Sequence, residues 1–157
     1  MSTRKWIFFI SYAMLTIVVS TVSFYLYKQY RMTHFSCAGE YTAIHNDTSF
    51  SSRNSLTLNG SDGIWIMDGK ISYPDKKASY FKLRNNFKVK REGSAYQFFS
   101  EHVTVVPLNN TRINSLDTFV NDAILHEKKS TFYSLYPINN ALIIYSGDMP
   151  VMYCMKK

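Results

Sequence analysis

The chain has 157 residues, 18 Lys/Arg against 11 Asp/Glu, a formal charge of +7 and 46% hydrophobic residues. Four of the bases and none of the acids lie in residues 1–31, which leaves 14 against 11 and no cluster dense enough for direct nucleic-acid binding. The part beyond residue 31 suits one domain and excludes two ordinary ones.

Trp6–Tyr27 runs 22 residues without a charge. A helix needs roughly 20 apolar residues to cross the ~30 Å hydrocarbon layer, so this stretch predicts one transmembrane helix over 6–27. Trp6, Tyr25 and Tyr27 sit at its ends, where amphipathic rings favour the headgroup region, and act as membrane anchors. A cleaved signal peptide has a shorter core of about 7–15 residues and small residues at the cleavage site; here bulky Phe24-Tyr25-Leu26-Tyr27 closes the run. The expected layout is a cytoplasmic stub over 1–5, the span, a tether over 28–36 and a periplasmic β-rich domain over 37–157. In a bacterium this is a single-pass inner-membrane protein with its N-terminus in the cytoplasm.

Cys37 and Cys154 then lie in an oxidising compartment, where disulfides persist. Two free thiols or bonds to another chain are the alternatives, but compartment and pairing count favour one intramolecular bridge.

A first strand is expected over Cys37–His45, and the polar stretch 46–54 is expected as a loop. Leu56 and Leu58 alternate with polar residues, and Asn59-Gly60-Ser61-Asp62-Gly63 has hairpin chemistry leading into Ile64–Met67. Phe81, Leu83, Phe87 and Val89 share one parity while Lys82, Arg84, Lys88 and Lys90 share the other, the period of a half-buried antiparallel strand. Asn85-Asn86 interrupts that strand as a bulge or turn. Tyr96–Phe99 and Val103–Val106 follow, with a parity change expected at the adjacent phenylalanines. Leu116–His126 has helical spacing with Ser115 as its cap. Thr131–Tyr136, Ala141–Tyr145 and Pro150–Met155 complete about eight short strands. The turn spacing indicates a small antiparallel barrel or sandwich with one short helix late in the chain.

The sequence offers no catalytic constellation. Its four histidines are scattered without metal-ligand spacing, and no nucleophile elbow or phosphate loop occurs. A non-enzymatic protein without metal or cofactor is expected. Phe81, Leu83, Phe87, Tyr96 and Phe98, with Lys82, Arg84, Lys88 and Lys90, form the candidate partner or ligand surface. The basic four are better explained as a solvated face, and the aromatics as core.

Phe35-Ser36-Cys37-Ala38-Gly39 after a single span, and Gly147-Asp148-Met149-Pro150-Val151-Met152-Tyr153-Cys154 at the end, resemble the FidL-like membrane proteins of enteric bacteria. Such proteins are similar in role to the ToxS class, the small partner of a single-span transcription regulator with a cytoplasmic winged helix-turn-helix. The resemblance implies association of two periplasmic domains, in some relatives completing a lipocalin-like barrel that holds a small amphipathic ligand. Cys37 and Cys154 match the family's cysteines. A stand-alone receptor for a lipid-like ligand and an envelope assembly component are the competing expectations.

Overall fold

The structure, a computed structural model, describes residues 3–75, 77–92, 95–108 and 113–156. It divides into two compact units, Met1–His34 and Phe35–Lys157. The first is helix α1, Thr3–Thr33, whose apolar stretch from Trp6 is long and apolar enough to cross a membrane. Its polar hydroxyls are absorbed locally: Thr16 Oγ1 donates to the Ala13 carbonyl at 2.8 Å, and Thr21 Oγ1 to that of Val18 at 2.9 Å. A span needs such satisfaction, because hydrocarbon offers no partner.

The second unit is a closed antiparallel barrel of eight strands in sequence order, which decides against a sandwich. The strands are β1 His34–His45, β2 Thr48–Asn59, β3 Asp62–Ser72, β4 Ala78–Glu92, β5 Ala95–Leu108, β6 Ser130–Ile138, β7 Ala141–Ser146 and β8 Met149–Lys156. The stretch expected as a tether over 28–36 is instead helical through Thr33 and extended from His34.

The expected loop over 46–54 is mostly β2. It was disguised because its inward row is Phe50, Ser52, Asn54, Leu56 and Leu58, so two of the five buried positions are polar. Trp65 Nε1 donates to Asn54 Oδ1 at 3.2 Å, and Asn54 Nδ2 donates to Ser52 Oγ at 3.1 Å. Burial of a polar group is tolerated when it is hydrogen-bonded, and this chain of bonds meets that condition.

The hairpin at Asn59-Gly60 forms as expected, with Gly60 at φ 68°. A bulge interrupts the β4–β5 ladder beside Asn86. Asn86 pairs with His102 and Phe87 with Ser100, so Glu101 is the extra residue. The parity change therefore falls at Glu101 and not between Phe98 and Phe99, which keep regular alternation as a buried and an exposed residue. A second bulge, at Val151, separates the pairs Ile144–Met152 and Tyr145–Pro150.

Aromatic rings fill the barrel in two groups. Phe87, Phe98, Tyr133 and Trp65 form one, with ring centroids 4.6, 5.1 and 5.8 Å apart in that order. In the other, Phe50 stacks on Phe81 at 5.9 Å and on Phe119 at 5.2 Å. Gly63 and Gly69 of β3 face Phe87 and Phe81 of β4, and each ring lies where a glycine Cβ would project. Gly69→Ala would push the Phe81 ring off Phe50, an overpacking change of about 1–3 kcal/mol. A lowered thermal midpoint, accompanied by altered near-ultraviolet dichroism, is the expected result.

The expected helix over Leu116–His126 resolves into two shorter pieces, a 3-10 turn at Ile113–Thr118 and helix α2, Asp122–Leu125. The cap is Asn121, whose side-chain oxygen accepts from the Ala123 N–H at 2.9 Å. The Ser115 side chain lies outside the described residues. Leu116, Val120, Ala123, Ile124 and Leu125 are buried, so the segment plugs the interior rather than lying on the surface.

Candidate interaction surfaces

Strand parity splits the candidate surface. Phe81, Leu83, Phe87, Tyr96 and Phe98 are buried inside the barrel, so the apolar half of that set is core and not an exposed surface. Lys82, Arg84, Lys88 and Lys90 project outward and are locally partnered. Lys82 Nζ lies 3.4 Å from Asp68, Lys88 Nζ 3.3 Å from Glu101 and Lys90 Nζ 3.0 Å from Glu92. Arg84 Nε donates to Asn86 Oδ1 at 3.2 Å. Exposed pairs of this kind add little stability, but each acid offsets a charge that an acidic partner would otherwise meet.

Beneath the plug lies a cavity of about 80 Å³, lined by Asn54, Trp65, Met67, Ile124, Tyr133 and Met152 among others. Ligand pockets span roughly 300–1,000 Å³, so an amphipathic ligand fits only if the plug moves. A buried polar latch opposes that movement. Asn85 Nδ2 donates to Ser100 Oγ at 2.7 Å and to the Ile124 carbonyl at 3.0 Å, while the Ser100 hydroxyl donates to the Ala123 carbonyl. Thus β4 and β5 satisfy carbonyls that the short helix leaves open at its end. Burial pushes the phenols of Tyr96 and Tyr133 above the ordinary tyrosine range.

Outside the latch, acids tie the plug to its flanks. Lys129 holds the Asp122 carboxyl below the usual carboxylate range, with His126 Nδ1 adding a contact at 2.7 Å. The Val103 N–H, donating to Glu127 Oε1 at 3.1 Å, lowers the Glu127 carboxyl, and His102 lowers it further. Depressed folded values mean that both contributions are present above the unfolded pKa and fade as the pH falls through the folded one. Glu127→Gln is therefore expected to be slightly less stable at pH 7, with the difference shrinking as the pH falls below the usual carboxylate range. Chemical denaturation of both proteins across that range is the check.

The barrel has one uneven end. Among the described residues, β6 pairs with β5 only through Ala95–Phe99, and β8 pairs with β1 only at Cys37 and Ala38. Among the described residues the Val103–Pro107 stretch of β5 and the Glu40–His45 stretch of β1 thus run past their outer neighbours. The Val103 N–H points away from β4, to Glu127. Strand alternation puts the backbone groups of Val105 and Pro107 on that same side, and Pro107 has no N–H to offer. An open depression of about 450 Å³ adjoins this end, lined by Glu40, Arg53, Asp68, Lys70, Tyr80 and Leu108 among others.

Cys37 and Cys154 are joined, with Cα atoms 5.3 Å apart, which excludes free thiols and bonds to another chain. Trp6, Tyr25 and Tyr27 are exposed on α1. No three His, Cys, Asp or Glu side chains converge as a metal set among the described residues.

No known protein family matches the chain, and no curated protein does. The functional reading therefore rests on the site itself. Sequence reasoning missed the Asn85–Ser100 latch, although a pair of asparagines breaking an alternating strand was its visible signal.

Proposed function

We propose that this is a non-enzymatic, single-pass inner-membrane accessory protein whose periplasmic barrel binds and modulates a membrane-bound winged helix-turn-helix transcription regulator. The observation that carries the reading is the outer edge of β5 over Val103–Pro107, which among the described residues β6 does not reach; an N-terminal helix long and apolar enough to cross a membrane supports the anchoring. An edge of this kind accepts an added strand through main-chain hydrogen bonds. Anchoring both proteins in one plane raises their effective concentration, so a modest edge affinity suffices. A small amphipathic ligand would act only by favouring the paired or unpaired state, and with the plug seated the interior is too small to hold one.

Co-purification from detergent with the product of a neighbouring regulator gene tests the pairing. Val105→Pro removes the edge N–H of β5 without touching the ladder to β4, and is expected to weaken association at least about tenfold. Absence of any association, together with unchanged regulator output on deletion, would end the reading.

A further inference from the structure

We propose that the end of the barrel at which β1 begins docks on the anionic headgroups of the bilayer, through the turn between β6 and β7 and the last residues of β8. Resting on the anchoring in the reading above, this docking uses a surface that pairing through the β5 edge leaves untouched. Thr33 ends α1 and His34 begins β1, so no residue intervenes as a tether. The helical stretch from Lys28 to Thr33 adds at most about 9 Å beyond Tyr27. A headgroup layer occupies roughly 5–8 Å on each side of the hydrocarbon, so β1 starts at its outer margin whatever angle the joint adopts.

The register brings an apolar tip to the same place. β8 lies between β1 and β7, with Lys156 opposite Cys37 and Met155 opposite both Ala38 and Ala141. The Asn140 carbonyl, in the turn between β6 and β7, accepts from the Lys156 N–H at 2.9 Å. That turn therefore stands two strand spacings, about 10 Å, from the start of β1. Tyr136, Ile138 and Met155 are 51, 46 and 63% exposed there. Their surroundings are basic: Lys28 and Arg31 precede β1, and Lys156 and Lys157 follow Met155. No acid occurs over residues 28–39, 130–147 or 149–157. The acids of this end, Asp62 and Glu92, belong to the other two turns. Exposed aromatic and aliphatic tips flanked by bases suit the interface, where rings reach the acyl boundary and ammonium groups meet phosphate. At the opposite end the charges are mixed, with Asp122 and Glu127 beside Lys128 and Lys129. Docking by one end holds Val103–Pro107, at the other, clear of the bilayer and open to an incoming strand.

The test is fluorescence quenching of the full chain in vesicles of phosphatidylcholine and phosphatidylglycerol that carry a nitroxide on the upper acyl chain. An NBD label on Asn140→Cys, in the docking turn, is expected to be quenched. The same label on Asp148→Cys, in the turn joining the far ends of β7 and β8, is expected to keep its emission. Adding Lys156→Gln to Asn140→Cys is expected to lower the docked-to-undocked ratio about fivefold, and vesicles of phosphatidylcholine alone are expected to lower it further. Intact Cys37–Cys154, checked by mass after proteolysis, shows that each variant has folded. Quenching of Trp6 reports the anchor separately. A quenched Trp6 with no quenching at 140, or with equal quenching at 140 and 148, overturns the docking and leaves the anchoring standing. Quenching at 140 that is the same in neutral and anionic vesicles overturns the assignment to anionic headgroups. An unquenched Trp6 overturns anchoring and docking together.

Discussion

Replacing Cys37 and Cys154 together by serine is expected to lower the barrel's thermal midpoint by roughly 12–30 °C. The bridge spans 117 residues, for which the chain-entropy model gives about 4–5 kcal/mol. For a domain of this size each kcal/mol moves the midpoint by roughly 3–6 °C. The placement adds to the loop length: among the described residues β1 meets β8 at two residue pairs, Cys37–Lys156 and Ala38–Met155. That seam closes the barrel, and the disulfide is its clasp. Melting of the full chain in detergent, followed by tryptophan fluorescence with and without reductant, measures the effect. A shift below about 3 °C would show that the seam holds without it.

The second large effect is expected at Asn85. Its side-chain amide is shared among Ser100, Ala123 and Ile124, and all four residues are buried. Asn85→Ala removes the donor and strands the Ile124 carbonyl in an apolar surrounding, at about 1–3 kcal/mol, while the Ala123 carbonyl keeps the Ser100 hydroxyl. The consequence is local before it is global, because the plug is attached to the wall chiefly here. Amide exchange at Ile124, Leu125 and His126, whose N–H groups bond to Asn121 and Asp122, is expected to accelerate about 100-fold, equivalent to about 2.7 kcal/mol. Ser100→Ala, which leaves Asn85 two carbonyl partners, is expected to give a smaller change. Unaltered exchange in the Asn85 variant would mean that apolar packing alone seats the plug.

The legible parts of this fold are those where periodicity and chemistry agree. Phe81 to Lys90 alternates cleanly because one side of β4 is core and the other water, and Asn59-Gly60 announced its turn. The long N-terminal helix was readable from its uncharged apolar run, and the disulfide from a count of two cysteines that leaves one intramolecular pairing. β2 was not legible, since Ser52 and Asn54 occupy inward positions where a hydrophobic pattern requires apolar residues; only their bonds to one another and to Trp65 explain their burial. The plug was read as one helix because its apolar residues recur at helical spacing. The chain instead breaks at Phe119–Asn121 and restarts on an asparagine cap. Parity divides the candidate surface into a buried apolar row and an exposed basic row, without saying which residues face a partner. The uneven end depends on which strands outrun which, and no single strand's sequence contains that information.

The two ring-over-glycine contacts between β3 and β4 carry a consequence for how this protein can change. Phe81 fills the side-chain space that Gly69 leaves vacant, and Phe87 does so for Gly63. Neither member is therefore free to drift alone. Enlarging the glycine crowds the ring, and trimming the ring opens a hole. A paired exchange that moves bulk from β4 to β3 is the permissive route. Among descendants of this sequence these positions are expected to vary as couples, so that Phe81→Ala is partly rescued by Gly69→Val while either change alone is harmful.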